Sequence, residues 1–266
     1  MKNGFSVFCV ALTALGLSWL GLVLGSVIQL GHEPLTTVLN STDPYPIQPS
    51  GAATLGLQVY RANGCAACHT EQVQQDGVAC NVVLSSPGLH PDTVSNLLSQ
   101  LVLNGLTDQE ASVAAAKIAA AGGKTEIRVV STGADMNRGW GLRRSVSADF
   151  LYDQPVQLGA VRIGPDLADV GTRQTDANAI LAHLYAPQSC TSGSLMPSFK
   201  FLFETRKIQG SPSSDALALP QAFAPMNGFE VVPTQDAKNL VAYLMNLHAS
   251  VPLYEAPFTP SVAANK

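Results

Sequence analysis

The chain has 266 residues, room for one membrane anchor and one large or two small domains outside it, each with a core of its own. Only 13% of the residues are charged and 46% are hydrophobic, a balance that excludes a disordered chain and favours a membrane or a large apolar cofactor. With a formal net charge of -4 and no cluster of Lys and Arg, the basic footprint that nucleic-acid binding needs is missing.

Residues 5–30 carry no charge, and as a helix of about 39 Å they are long enough to cross a hydrocarbon core of about 30 Å. They are expected to form a transmembrane helix; a cleaved signal peptide is the rival, but its apolar region is shorter and ends at a small-x-small site that is not evident here. Lys2 before the helix and Glu33 after it place the N-terminus in the cytoplasm and all that follows outside. Prolines 34, 44, 46 and 49 forbid a continuous helix and mark residues 32–51 as a linker.

A short helix is expected over residues 52–61, leading straight into Cys65-Ala66-Ala67-Cys68-His69. From Pro91, apolar Val94, Leu97, Leu98, Leu101 and Val102 keep helical spacing until Gly105. Thr107 with Glu110 is a capping-box signature that opens an Ala-rich helix to Ala121, and residues 126–130 read as a strand. This helix-helix-strand unit weakly resembles part of the C-terminal domain of the bacterial ribosomal stalk protein, and is read as an inserted subdomain. Residues 132–199 are rich in Gly and Pro, as loops folded over a cofactor would be. A last helix is expected over residues 235–248, capped by Thr234, with Leu240, Val241, Leu244 and Leu247 on one stripe.

The chemistry concentrates in CAACH. Two thiols one helical turn apart can each form a thioether to a haem vinyl group, and the adjacent imidazole of His69 then meets the iron. A zinc half-site would want a second Cys/His pair that Cys80 and Cys190 do not supply, and a redox dithiol would want a strand-helix-strand setting that nearby Pro and Gly disrupt.

In order, CAACH after a short helix, Gly164-Pro165-Asp166-Leu167, and Met196-Pro197 ahead of a terminal helix resemble the class I cytochromes c. The resemblance implies that the carbonyl of Pro165 accepts a hydrogen bond from His69, and that Met196 is the sixth iron ligand, raising the reduction potential. Met226 is its rival; Met136 and Met245 read as packing residues. More narrowly, SADFLYDQPVQLGAVRIGPDLADVGTRQTD with HLYAPQSCTSGSLMPSF, and Asp43-Pro44-Tyr45 before the first helix, resemble the monohaem membrane-bound subunit II, FixO type, of cbb3-type cytochrome c oxidases. The departure is the long segment over residues 76–141.

Within the matching stretch Arg144, Arg162 and Arg173 are candidates to neutralise haem propionates, with a plain structural role the alternative for each. Cys80 and Cys190 are either a disulfide or two separate thiols; Cys9 is an apolar filler. His32, His90, His183 and His248 read as surface or packing residues, each the alternative second iron ligand if Met196 is not.

The expected protein is therefore mainly α: a class I cytochrome c fold over residues 52–75 and 142–250, with one N-terminal transmembrane anchor over residues 1–31. A linker (32–51), a small inserted α/β subdomain (76–141) and a tail (251–266) complete it. One covalently attached haem c is the expected cofactor, with Cys65, Cys68, His69, Pro165, Met196, Arg144 and Arg162 around it and His69 and Met196 on the metal. The resemblance implies electron transfer to the catalytic subunit of a haem-copper oxidase by a relay that is no catalyst by itself. The expected partners are that integral subunit, other c-type cytochromes and membrane lipid. The place implied is the outer, periplasmic side of a bacterial inner membrane. The alternatives are a subunit of another complex or a free tethered shuttle, and a haem peroxidase or sensor with an open coordination site.

Overall fold

The computed structural model describes residues 4–30, 35–39 and 41–253. Lys2, His32 and Glu33, and most of the tail expected over residues 251–266, lie outside the described residues. The N-terminal helix is continuous: α1 (Gly4–Trp19), a π-helical turn (Leu20–Leu24) and α2 (Gly25–Leu30). Its apolar span, Gly4–Ile28, has a mean hydropathy of 2.3 and buries none of that surface against the rest of the chain. By length and composition it is one helix long and apolar enough to cross a membrane.

The linker folds back on the body. β1 (Thr36–Thr37) pairs with β2 (Pro44–Tyr45), and the buried Tyr45 hydroxyl donates to Asp149 at 2.8 Å. α3 (Gly51–Ala62) starts at Ser50, whose side chain accepts from Ala53 N, and buries Ala53, Gly56 and Tyr60. This stripe crosses α10 (Gln235–Met245), α3's main partner. Gly56 makes the crossing close: a Cβ there would lie 1.9 Å from the backbone oxygen of Asn239. Tyr60 and Tyr243 pack beside it, rings tilted by 57° with centroids 5.2 Å apart. The core grows from that crossing and takes in Leu181, Leu184, Val231, Leu240 and Leu244.

Between them in sequence lies a unit with its own core. β3 (Gly77–Ser86) pairs antiparallel with β4 (Lys124–Thr132), and α4 (Pro91–Leu98) and α5 (Asp108–Ala120) cover the sheet through Val94, Ala111, Ala114 and Ile118. Sequence led to expect helix-helix-strand; the structure is strand-helix-helix-strand. β3 hid because its own residues mix Gly, Cys, Asn and Ser with Val, so the period-2 signal is weak. α4 also stops at Leu98, earlier than expected, because the chain must turn so that Leu103 and Leu106 can run along β3 (Val82 N to Leu103 O, 2.7 Å; Cys80 N to Leu106 O, 2.8 Å). The Thr107/Glu110 capping box is formed.

After short α6 (Ala134–Asn137) and α7 (Val170–Arg173), a helix not expected within the Gly/Pro-rich region, α8 (Ala177–Tyr185), packs Ile180, Leu181, Leu184 and Tyr185 into the main core. α9 (Pro187–Cys190) follows, and β5 (Phe203–Lys207) pairs with β6 (Phe229–Pro233) in a hairpin also not expected. Thr234 caps α10 by accepting from Ala237 N. The architecture is thus mixed, with helices dominant around the main core and three two-stranded sheets among the described residues.

Candidate functional site

Cys65–Ala67 form a 3-10 turn directly after α3, and His69 N donates back to Cys65 O at 3.0 Å. The turn presents the two thiols and the imidazole from one compact loop. Cys65 and Ala66 pack on the main core, as do Leu167, Met196 and Phe199. Half-burial pushes the Cys65 thiol up to about 11, opposite to the depressed values of reactive dithiols.

The Gly164–Leu167 loop closes over His69. Pro165 O lies 2.7 Å from His69 Nδ1, so that nitrogen donates and Nε2 is left to act as a ligand. Gly164 is required there: a Cβ would fall 2.2 Å from His69 Cε1. The backbone stitches the loops together, with Gly164 N and Ile163 N both donating to Cys68 O (2.9 and 3.0 Å) and Leu167 N to Thr70 O (2.7 Å).

Two fully buried carboxylates anchor this arrangement, Asp166 of the Gly-Pro-Asp-Leu motif, whose role the sequence did not give, and Asp135, which it did not single out. Asp166 accepts from Thr70 Oγ1 (2.5 Å), Gln72 N (2.9 Å) and Ala168 N (2.9 Å), and Asp135 accepts from Gln74 N (2.7 Å). Arg162 spans both: Nε donates to Thr70 Oγ1 (2.8 Å), Nη1 to Asp135 (2.8 Å) and Nη2 to Gln72 O (2.5 Å). All these acceptors belong to the protein, so Arg162 ties the loop after CAACH to the Gly-Pro-Asp-Leu loop. Arg173 donates to Asp166 O. Arg144 is exposed, and its carbonyl accepts from Arg143 Nη1 at 2.9 Å. Arg143, which the sequence did not single out, makes a buried two-pronged pair with Asp149 (2.7 and 2.9 Å). An Asp that precedes a buried turn, as Asp166 does after Gly-Pro, is the only signal that was available for this network.

Met196 is half-buried on the main core, whereas Met226 is 78% exposed; Met136 and Met245 pack in apolar clusters. Cys80 is buried in the inserted unit and Cys190 exposed, both as free thiols, so the disulfide alternative is not realised. Next to the site, Glu71 is 2% exposed and Tyr243 donates to its Oε2 at 2.8 Å, while Glu71 Oε1 and Tyr60 Oη have no partner among the described residues. Burial first, with Asp153 and Asp166 adding, pushes Glu71 up to about 8 against the lowering effect of the tyrosines. Tyr60 and Tyr243 lie above the usual phenol range for the same reason.

The donor set fits a haem: two thiols and a backed imidazole on one loop, a methionine on the same core, and apolar residues between. Residues 129–235 match the family model described as cytochrome C oxidase, mono-heme subunit/FixO. That stretch holds Pro165 and Met196 and begins after CAACH, inside β4. A search of curated proteins found no match.

Proposed function

We propose that this chain is a FixO-type cytochrome c oxidase subunit, a membrane-anchored monohaem c-type cytochrome that passes electrons to a haem-copper catalytic subunit; the match over residues 129–235 supports this reading. In this reading Cys65 and Cys68 would hold a haem through thioethers, and His69 and Met196 would be the protein ligands of its iron. Haem so held would supply reversible one-electron exchange, and with both residues as ligands the iron would keep no position for a substrate. We read the α3, α8 and α10 arrangement as a class I cytochrome fold over residues 52–75 and 142–250. The N-terminal helix is its anchor, with the body on the outer face.

What the chain's own residues do follows from the geometry. Pro165 fixes the tautomer and plane of His69 and raises its basicity; Gly164 lets the loop approach the ring; Asp166 and Arg162 hold that loop against residues 70–74. A site held this rigidly changes little between oxidation states, which favours fast transfer. The observation that carries the reading is the 2.7 Å contact between His69 Nδ1 and Pro165 O, across 96 residues of sequence, from the loop that bears both thiols.

The test is expression in a host with c-type maturation. Mass spectrometry should show one covalent haem, and Cys65→Ser with Cys68→Ser should abolish it. Met196→Ala should convert a His/Met optical spectrum to one that binds carbon monoxide, and purification in mild detergent should bring down a large integral haem-copper subunit. Colour that is wholly extracted by acid acetone, or carbon monoxide binding by the unaltered protein, refutes the reading.

A further inference from the structure

Residues 250–253 gather two parts of the chain that are far apart in sequence. They hold the linker that follows the N-terminal helix, with Val38 bridged to Leu253 and Leu39 N donating to Pro252 O at 2.8 Å. They also hold residues 138–144, with Leu142 N donating to Ser250 Oγ (2.9 Å) and Arg143 Nε to Val251 O (2.6 Å). Eight residues lead from Leu30, at the end of α2, to Val38, so covalent reach alone keeps this face within about 28 Å of the helix end. Its side chains are those of a contact at headgroup level. Leu142 is 75% exposed and Leu39 beside the same segment is 42% exposed. Residues 136–148 contain three arginines and no acid. The acids that flank them are compensated from elsewhere or by the buried arginine: Asp135 by Arg162 at 2.8 Å and Asp149 by Arg143 at 2.7 Å. Arg138 stands 3.9 Å from Asp135 with 56% of its side chain exposed, and its guanidinium lies 4.8 Å from the centre of the half-buried Trp140 ring. Arg144 is exposed as well. Guanidinium groups pair with phosphate oxygens, and Trp and Leu enter the boundary between headgroups and acyl chains. Single exposed leucines need no partner, but these are gathered with arginines where the tether enters the body. Two arginines hold an anionic surface only weakly from free solution; a tether this short raises the effective concentration to the millimolar range, where a weak contact suffices.

We propose, on the reading that the N-terminal helix is a membrane anchor, that residues 138–144 dock the body on the anionic headgroups of the bilayer holding that anchor. Arg138 and Arg144 meet lipid phosphates and Leu142 enters the acyl boundary. The test is phenylglyoxal labelling of arginines, read by mass spectrometry, on the full haem-loaded chain in nanodiscs of phosphatidylglycerol or of phosphatidylcholine. Rates are normalised to Arg128 of the inserted unit, whose side chain is 58% exposed. Arg138 should label at least three-fold more slowly in the phosphatidylglycerol discs, and 1 M NaCl should abolish the difference. Leu142→Glu, a change at an exposed position, should return Arg138 to its phosphatidylcholine rate. Equal Arg138 rates in the two discs, protection that needs an added haem-copper subunit, or a Leu142→Glu protein protected like its parent overturns the proposal and leaves the anchor standing. A chain that does not enter the discs overturns both.

Discussion

Replacing Gly164 with Ala probes the contact on which the site depends. The added Cβ would sit 2.2 Å from His69 Cε1, 2.7 Å from Nδ1 and 2.8 Å from Nε2, all well inside the 3.4 Å at which ordinary contact begins. The ring must retreat by about 1.2 Å or the loop must lift, and either motion stretches the 2.7 Å bond to Pro165 O. Overpacking costs about 1–3 kcal/mol. A spoiled hydrogen bond adds about 0.5–1.5 kcal/mol, so the whole lies near 2–4 kcal/mol. For a domain of this size that corresponds to a fall in Tm of roughly 4–15 °C. The assay is thermal denaturation of the mature protein, followed by far-ultraviolet circular dichroism and by absorbance in the haem region. Gly51→Ala is the control, since nothing lies within 4 Å of a Cβ there. It should stay within about 0.5 kcal/mol of the parent. A Gly164→Ala protein that melts within a degree of the parent with an unchanged spectrum would show that Gly164 does not hold the imidazole.

Gly56→Ala should be worse, because its Cβ meets backbone, 1.9 Å from Asn239 O, and only a shift of the whole α3/α10 crossing relieves it; the measured consequence is loss of soluble, haem-loaded protein, and normal yield would contradict the packing argument. Arg143→Ala removes the partner of Asp149, whose side chain is 5% exposed, and should cost about 3–5 kcal/mol in urea denaturation, where a loss below 1 kcal/mol would show the pair to be dispensable. The pH dependence follows from two carboxyls raised in the fold, Glu71 at about 8 and Asp153 at about 6, both mainly by burial. Each binds its proton more tightly folded than unfolded, so the stability it contributes is full below its unfolded value, roughly 4, falls as pH rises, and levels off above its folded value. Asp153→Asn should flatten the denaturation midpoint between about pH 4 and 6, and Glu71→Gln should flatten it between about pH 4 and 8, where above pH 6 Glu71 acts without Asp153; slopes unchanged in both variants refute the assignment.

The parts legible in sequence were those written in local chemistry. CAACH, the Thr107/Glu110 box, the Thr234 cap and the apolar run of residues 5–30 each state their structure within a few residues, and the elements formed there. α8 was not legible because only its buried half, Ile180, Leu181, Leu184 and Tyr185, is periodic and the flanks are loops. β5 and β6 were hidden because they are short and 22 residues apart, with pairing that depends on tertiary closure. At the site, the direct ligand candidates were visible, but Asp135 and the roles of Asp166 and Arg162 were not. A buried carboxylate is defined by who reaches it, and its partners at residues 70–74 and 162 come together only after folding.

That last network also explains how the chain carries a long interruption inside its site. His69 and Gly164 touch, yet β3, α4, α5 and β4 intervene. The interruption leaves and returns at one point, with Gly77 paired to Thr132, Asp76 N donating to Thr132 O at 2.9 Å and Ala134 N to Asp76 Oδ2 at 3.3 Å. Its apolar cluster around Val94 and Ile118 is separate from the one around Tyr60 and Leu240, so neither core needs the other to be filled. The closed root has a second consequence. Asp135, the third residue after the return, is the acceptor for Arg162 and Gln74, so the point where the insertion rejoins the chain is also a brace for the loop that follows His69. An insertion with spread ends would have pulled that brace apart; one with paired ends holds it in place.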